Sequence, residues 1–173
     1  MPALHTRRTP PWRPHLGAWP DLGGVAFRVW APGRRRVELV LNPGPTSPER
    51  HELTPADDGM FSGTFADVEA GDVYAYMLDG EGPFPDPASR FQPQGVHAPS
   101  AVVDPATYRW SDQSWRGIPL REAIIYELHV GTFTPEGTFA SATDRLGYLA
   151  DLGVTVVELM PVADFPGSRN WGY

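Results

Sequence analysis

The sequence of 173 residues contains no cysteine, which excludes disulfide bridges, thiolate zinc sites and cysteine nucleophiles. It also lacks any apolar run near the roughly 20 residues that a membrane-spanning helix needs. Residues 1–14 hold arginine and proline but no apolar segment of the kind found in signal peptides. We therefore expect a cytoplasmic protein without a membrane partner.

Surplus positive charge and closely spaced histidines are missing as well. The net charge is -7, which argues against nucleic acid as a partner because phosphate binding needs clustered cations. The basic run at residues 34–36 follows Ala31-Pro-Gly33 and indicates a solvated turn. The histidines stand at positions 5, 15, 51, 97 and 129, without the i, i+4 spacing of a metal site. We predict no metal site and no cofactor.

Proline and glycine are abundant, with 20 and 18 copies, and most of them precede residue 120. Short apolar stretches recur at regular spacing between these turn residues. This pattern predicts an immunoglobulin-like β-sandwich over residues 15–104. Tyr74 and Tyr76 should pair in its core, and Trp30 should fill that core too. Residues 1–14 are expected to form a loose arm. The predicted strands cover residues 25–30, 37–41, 61–65 and 73–78.

The pattern changes after residue 120, at the end of a predicted connector over residues 105–121. Near-continuous apolar residues at 123–130 are typical of a parallel strand that is buried on both faces. Apolar residues at helical spacing follow from 139 to 150, and Gly153 should end this helix. A second apolar strand at 154–160 completes a β-α-β unit.

Several motifs resemble the α-amylase superfamily of glycoside hydrolases. Phe27-Arg-Val-Trp-Ala-Pro32 is similar to its N-terminal sandwich, whereas Tyr126-Glu-Leu-His-Val130 and Glu158-Leu-Met-Pro161 look like the first two strands of its (β/α)8 barrel. Within that superfamily, Asp86-Pro-Ala-Ser-Arg90 and Asn170-Trp-Gly-Tyr173 are closest to the malto-oligosyltrehalose trehalohydrolase family.

This resemblance implies a multidomain β plus α/β protein, in which residues 122–173 begin a catalytic barrel that is incomplete in this chain. The implied activity is retaining hydrolysis of the α-1,4 bond next to the trehalose end of maltooligosyl-trehalose. The superfamily's catalytic carboxylates lie on later strands, so we expect no catalytic residue here and no activity from the chain alone. A glucan-branching enzyme fragment and a non-catalytic α-glucan-binding module are the alternatives.

The expected partners are maltooligosyl-trehalose, or a related α-1,4-glucan, and the polypeptide that supplies the rest of the barrel. A single β-α-β unit cannot cover its own apolar faces, so residues 123–173 should be ordered only beside that polypeptide.

Candidate substrate-binding residues follow the second strand, in the region where barrel enzymes bind substrates. The resemblance implies that Tyr173 lines the subsite of the sugar ring that is attacked. Trp171 and Arg169 are the further candidates. An aromatic ring can cover the C–H face of a sugar while its polar atom stays available to oxygen. By the same argument Trp12 and Trp19, near the N-terminus, are candidate glucan platforms.

Glu127 and Glu158 lie inside the two predicted parallel strands rather than at their C-terminal ends. We therefore do not expect them to form the catalytic pair. Because Glu127 and His129 share one face of the first strand, we expect them to form a buried ion pair.

Overall fold

The computed structural model describes residues 14–44 and 48–167. The chain divides into two compact units, with a boundary between Tyr108 and Arg109 that falls inside the predicted connector. The described part of the first unit contains strands β1 (Gly17–Asp21), β2 (Gly24–Trp30), β3 (Val37–Leu41), β4 (Glu49–Glu52), β5 (Thr54–Pro55), β6 (Met60–Phe65), β7 (Val73–Leu78), β8 (Glu81–Phe84) and β9 (Ser100–Ala101).

These strands form two antiparallel sheets. One has the order β1-β2-β6-β5, and the other has the order β4-β3-β7-β8, with β9 also paired to β7. In β2 the side chains of Val25, Phe27 and Val29 enter the shared hydrophobic core, while Arg28 is half-buried and Trp30 is exposed. This alternation is the pattern of a strand with one covered face. The predicted β-sandwich is confirmed.

Aromatic rings fill the space between the sheets. The Phe27 and Tyr74 ring centroids are 5.0 Å apart at an interplanar angle of 75°, an edge-to-face contact. Those of Tyr74 and Tyr76 are 5.8 Å apart, and both tyrosines are buried. The predicted core pairing of Tyr74 with Tyr76 is therefore confirmed. Burial of each large apolar side chain contributes about 1.5 to 3 kcal/mol.

Trp30 does not fill the core. Its side chain is 55% exposed, and its indole Nε1 donates a 3.2 Å hydrogen bond to the backbone oxygen of Asp58. The core prediction for Trp30 is wrong because the odd-numbered residues of β2 face the core, which places position 30 on the opposite face.

The described part of the second unit contains one parallel strand pair and three short α-helices. Leu128 lies opposite Leu159 in the parallel register. The predicted order of strand, helix and strand is therefore found. The elements are β10 (Ile125–Leu128), α1 (Val130–Phe133), α2 (Phe139–Asp144), α3 (Leu146–Asp151) and β11 (Val156–Leu159).

Both strands of this unit are shorter than predicted, and the predicted helix is interrupted. The first strand ends at Leu128 because strand pairing stops there and Phe133 N–H bonds back to the His129 oxygen, which starts α1. The predicted helix over 139–150 is broken at Arg145, whose N–H bonds to the oxygen of Ala142 in a tighter turn.

The helix ends have identifiable caps. Thr138 begins α2 in a capping box, in which Ser141 N–H donates to Thr138 Oγ1 at 3.2 Å and Thr138 N–H donates to Ser141 Oγ at 3.3 Å. Gly153, with a φ of +96°, follows α3 as predicted. In the part of the chain that the structure describes, no helix has the length and apolarity needed to cross a bilayer.

Candidate functional site

The C-terminal ends of β10 and β11 border a cleft of about 320 Å³. Ligands of open parallel sheets and of barrels bind at this end of the strands. His129 directly follows β10, and Met160 directly follows β11 and donates its N–H to the Leu128 oxygen at 2.9 Å. The cleft lining includes His129, Gly131, Gly137, Met160, Pro161 and Phe165.

His129 brings a polar group to this cleft. Its Nδ1 is enclosed and has no hydrogen-bond partner among the residues that the structure describes. A side chain at Gly131 would collide with the ring, because a Cβ there would lie 2.9 Å from His129 Cε1. Gly131 therefore leaves room for the imidazole. An enclosed ring nitrogen without a hydrogen-bond partner is unfavourable in a folded protein.

The predicted buried pair of Glu127 and His129 is not formed. Glu127 is exposed, whereas His129 is half-buried. Since the Glu127 carboxylate reaches solvent in the described part of the chain, its charge needs no buried partner. Glu127 lies opposite Glu158 in the strand register, and both are exposed within their strands rather than at the strand ends. That neither is catalytic stays a prediction.

The three predicted substrate-binding residues, Arg169, Trp171 and Tyr173, lie outside the described residues, as does the candidate platform Trp12. Their roles therefore stay predictions. Trp19, the other candidate platform, is described. It is half-buried on β1 and lines a second cleft, which belongs to the sandwich.

A buried carboxylate lies inside the sandwich. Asp86 accepts hydrogen bonds from the hydroxyls of Tyr74 at 2.7 Å and Tyr76 at 3.5 Å, and from the N–H of Ala88 at 2.8 Å. Burial raises the pKa of Asp86 above its ordinary value, although these bonds favour the ionised form. Burial, together with Asp86, also raises the pKa of Tyr74. These interactions attach the loop that contains Asp86 to the core of the sandwich. Asp86 and its partners do not line the cleft at the ends of β10 and β11.

The arginine run forms surface ion pairs, in agreement with the predicted solvated turn. Arg34 Nη1 lies 3.4 Å from Glu81 Oε2, and Arg36 Nε lies 3.0 Å from Glu52 Oε2. The backbone N–H groups of Arg36 and Arg35 donate hydrogen bonds to Asp79, and together with the charges of Arg34 and Arg35 they hold the pKa of Asp79 below its ordinary value. Within residues 14–44 and 48–167, no group of three histidine, aspartate or glutamate side chains is placed to hold a metal ion.

Known proteins resemble both units of the chain. The Carbohydrate-binding module 48 (Isoamylase N-terminal domain) family matches residues 15–105. A malto-oligosyltrehalose trehalohydrolase from Saccharolobus solfataricus is 46% identical over 154 residues, which make up 88% of this chain and 26% of that protein.

Solved structures show the same relationship. A Salmonella typhimurium protein provisionally described as an alpha amylase has a TM-score of 0.82 at 44% identity, covering 94% of this chain and 27% of that one. A pullulanase from Anoxybacillus sp. LM18-11, in complex with maltotetraose, has a TM-score of 0.71 at 30% identity, covering 88% and 26%.

The chain thus spans about a quarter of the length of the curated relatives that it matches. The resemblance to malto-oligosyltrehalose trehalohydrolases, expected from the motifs, is confirmed. The match over residues 15–105, which coincides with the sandwich, shows that the chain belongs to the carbohydrate-binding module 48 family.

Proposed function

We propose that this chain is the N-terminal portion of a retaining glycoside hydrolase that cleaves the α-1,4 bond next to the trehalose end of maltooligosyl-trehalose, releasing trehalose. The observation that carries the proposal is the identity to a malto-oligosyltrehalose trehalohydrolase, because it extends through both units rather than through the sandwich alone. In this proposal the reaction contributes to the formation of trehalose from α-glucan. It takes place in the cytoplasm.

In this proposal the sandwich, residues 15–104, is an accessory domain, residues 105–121 are a connector, and residues 122–173 begin a catalytic (β/α)8 barrel. The parallel pairing of β10 with β11 supports this assignment, since parallel sheets are normally covered on both faces. Ile125 is 56% exposed and Leu159 is 47% exposed, although both belong to strands. Further strands and helices of a barrel would cover such side chains.

Retaining hydrolysis needs two carboxyl groups about 5 Å apart, one as nucleophile and one as general acid. We assign both to strands that follow this chain in the complete enzyme. The residues of this chain would bind the substrate at the strand ends. Tyr173 would cover the C–H face of the glucose ring that is attacked, and Trp171 and Arg169 would contact neighbouring hydroxyls. The cleft beside His129 lies at the same strand ends.

The test is to incubate the full-length polypeptide that carries this chain with maltotriosyl-trehalose, and to analyse the products by chromatography. We expect equal amounts of trehalose and maltotriose. The 173-residue chain alone should give neither. New α-1,6 branch points on amylose, without trehalose, would identify a glucan-branching enzyme instead. Binding of glucan by the full-length polypeptide without any turnover would identify a glucan-binding protein.

A substitution tests the proposed substrate contact. Tyr173→Ala in the full-length polypeptide should lower kcat/KM for maltotriosyl-trehalose by about tenfold, the equivalent of one lost aromatic contact. Tyr148→Ala is a suitable control, because Tyr148 lies on α3, away from the strand ends. An unchanged kcat/KM for Tyr173→Ala would remove Tyr173 from the substrate site while leaving the proposed reaction in place.

A further inference from the structure

The chain between β10 and α2, residues 129–138, forms one wall of the cleft at the strand ends. It supplies His129, Gly131 and Gly137 to the cleft lining. Two close contacts fix the shape of this wall. The ring of His129 lies against Gly131, and a Cβ added at Gly137, whose φ is +63°, would lie 2.8 Å from the Gly131 oxygen. Gly137 therefore packs on Gly131 and Gly131 packs on the imidazole, so a displacement of Gly137 would move the cleft lining.

A hydroxyl group on α2 holds the end of this wall. Ser141, the third residue of α2, has its Oγ 2.6 Å from Thr134 Oγ1 and 2.9 Å from Thr138 Oγ1. Thr134 in turn accepts the Gly137 N–H, at 3.1 Å to its backbone oxygen and at 3.2 Å to Oγ1. Ser141 is thus connected to Gly137 through Thr134.

The bond between Ser141 and Thr134 goes beyond the needs of the helix. A capping box requires only Thr138 and Ser141, so the contact with Thr134 is additional and joins the helix to the wall. Thr134 is buried and Ser141 is half-buried, which limits competition from water. Neither of these two residues lines the described cleft. Their hydroxyls can therefore affect a ligand there only through the position of residues 129–138.

We propose that Ser141 is a positioning residue, which holds residues 129–138 as a preformed wall of the cleft and thereby sets the affinity for the substrate. The inference rests on the proposed function, in which the glucan binds at these strand ends. A wall that is fixed before the substrate arrives avoids the entropic cost of ordering it on binding. Because the catalytic carboxyl groups are assigned to other strands, loss of Ser141 should weaken substrate binding and leave the chemical step intact.

The test is steady-state kinetics of the full-length polypeptide with maltotriosyl-trehalose. For Ser141→Ala we expect KM to rise about tenfold while kcat stays within about twofold of the wild type. Ser141→Thr keeps the hydroxyl and should hold KM within about threefold of the wild type. Thr143→Ala is the matched control, because Thr143 is an exposed residue of the same helix whose hydroxyl donates to the Phe139 oxygen at 2.8 Å, within α2. Its KM should equal that of the wild type.

A second variant tests the bond itself. Thr134→Val keeps the shape of the side chain and removes its hydroxyl. Since Ser141→Ala breaks the same bond, the double variant should raise KM no further than the larger of the two single effects. The proposal is overturned if the two effects multiply, or if Ser141→Ala has the KM of the wild type.

Hydrogen exchange separates the role of Ser141 from the proposed reaction. In the full-length polypeptide, followed by mass spectrometry, the amides of residues 134–138 should exchange at least about tenfold faster in Ser141→Ala than in the wild type or in Thr143→Ala. Faster exchange, together with no turnover of maltotriosyl-trehalose by the wild type, would refute the reaction and retain Ser141 as the residue that holds the wall. Unchanged exchange would overturn the role of Ser141, whichever substrate the polypeptide uses.

Discussion

The hydroxyl of Tyr74 on β7 donates a 2.7 Å hydrogen bond to Oδ2 of Asp86, which belongs to the loop after β8. Four residues later, Arg90 Nη1 donates a 2.9 Å hydrogen bond to the oxygen of Ala18 on β1. The loop is thereby attached to one sheet through Asp86 and to the other sheet through Arg90. The motif Asp86-Pro-Ala-Ser-Arg90, which supported only a family resemblance in the sequence, thus connects the two halves of the sandwich.

Removal of the Asp86 carboxylate should destabilise the protein strongly. Asp86→Ala leaves the Tyr74 hydroxyl and the Ala88 N–H without their acceptor, and we expect the free energy of unfolding to fall by about 3 kcal/mol. Urea denaturation, monitored by near-ultraviolet circular dichroism, measures this change. Asp67→Ala, at an exposed position, should change it by less than about 0.5 kcal/mol. Equal effects of the two substitutions would show that the Asp86 interactions contribute nothing specific.

The same carboxyl group should give the fold a defined pH dependence. Because burial raises the pKa of Asp86 in the folded state, its contribution to stability is greatest below its unfolded value and decreases as the pH rises through the folded value. We therefore expect the wild type to gain stability relative to Asp86→Asn as the pH is lowered from about 7 to about 4. Urea unfolding of both proteins across this range measures the difference. A relative loss on acidification would mean that the folded protein holds Asp86 ionised.

Two glycines with positive φ should respond very differently to substitution. Gly24 has a φ of +121°, and an added Cβ would lie 2.0 Å from the Phe65 oxygen of the paired strand. Gly33 has a φ of +79° and no atom within 4 Å of an added Cβ. Gly33→Ala should therefore cost only the backbone strain, about 1 kcal/mol, whereas Gly24→Ala should cost about 3 kcal/mol or more. Similar urea midpoints for the two variants would contradict the close approach of β2 and β6.

The central strands could be predicted from the sequence, and the edge strands could not. β2, β3, β6 and β7 all carry apolar residues on their covered face, and each was predicted to within one residue. β1, β4, β5 and β8 were missed, and each lies at the edge of its sheet. Edge strands tolerate proline and charge because one side faces solvent. Pro20 in β1 and the sequence Glu49-Arg-His-Glu52 of β4 therefore interrupt the alternation of apolar and polar residues from which a strand is predicted.

Some functional features could likewise be predicted from the sequence, and others could not. Motifs were sufficient to indicate the family and the strand ends at which a substrate would bind. Trp19 itself was a candidate, but the cleft of the sandwich that it lines could not be predicted, because that cleft depends on the register that aligns Trp19, Ala26 and Thr64 across three strands. The exposure of Trp30 was misjudged for a related reason, since the odd-numbered positions of β2 alternate into the core and Trp30 does not.

We propose that the second unit is fully ordered only within the complete protein, and hydrogen exchange can test this. In the isolated 173-residue chain, the amides of Ile125–Leu128 should exchange much faster than those of Val37–Leu41 in the sandwich. In the full-length polypeptide both segments should be protected, because further strands would pair with β10 and β11. Equal protection of Ile125–Leu128 in the two samples would contradict this proposal.

We propose that this chain is part of an enzyme selective for the trehalose end of its substrate. The most direct measurement compares kcat/KM of the full-length polypeptide for maltotriosyl-trehalose and for maltopentaose, two substrates with five glucose units that differ in the terminal linkage. We predict a preference for maltotriosyl-trehalose of at least about 100-fold. A site that hydrogen-bonds the terminal trehalose unit discriminates strongly against a substrate whose terminal unit cannot form the same hydrogen bonds. Equal values for the two substrates, or a preference for maltopentaose, would contradict the claim.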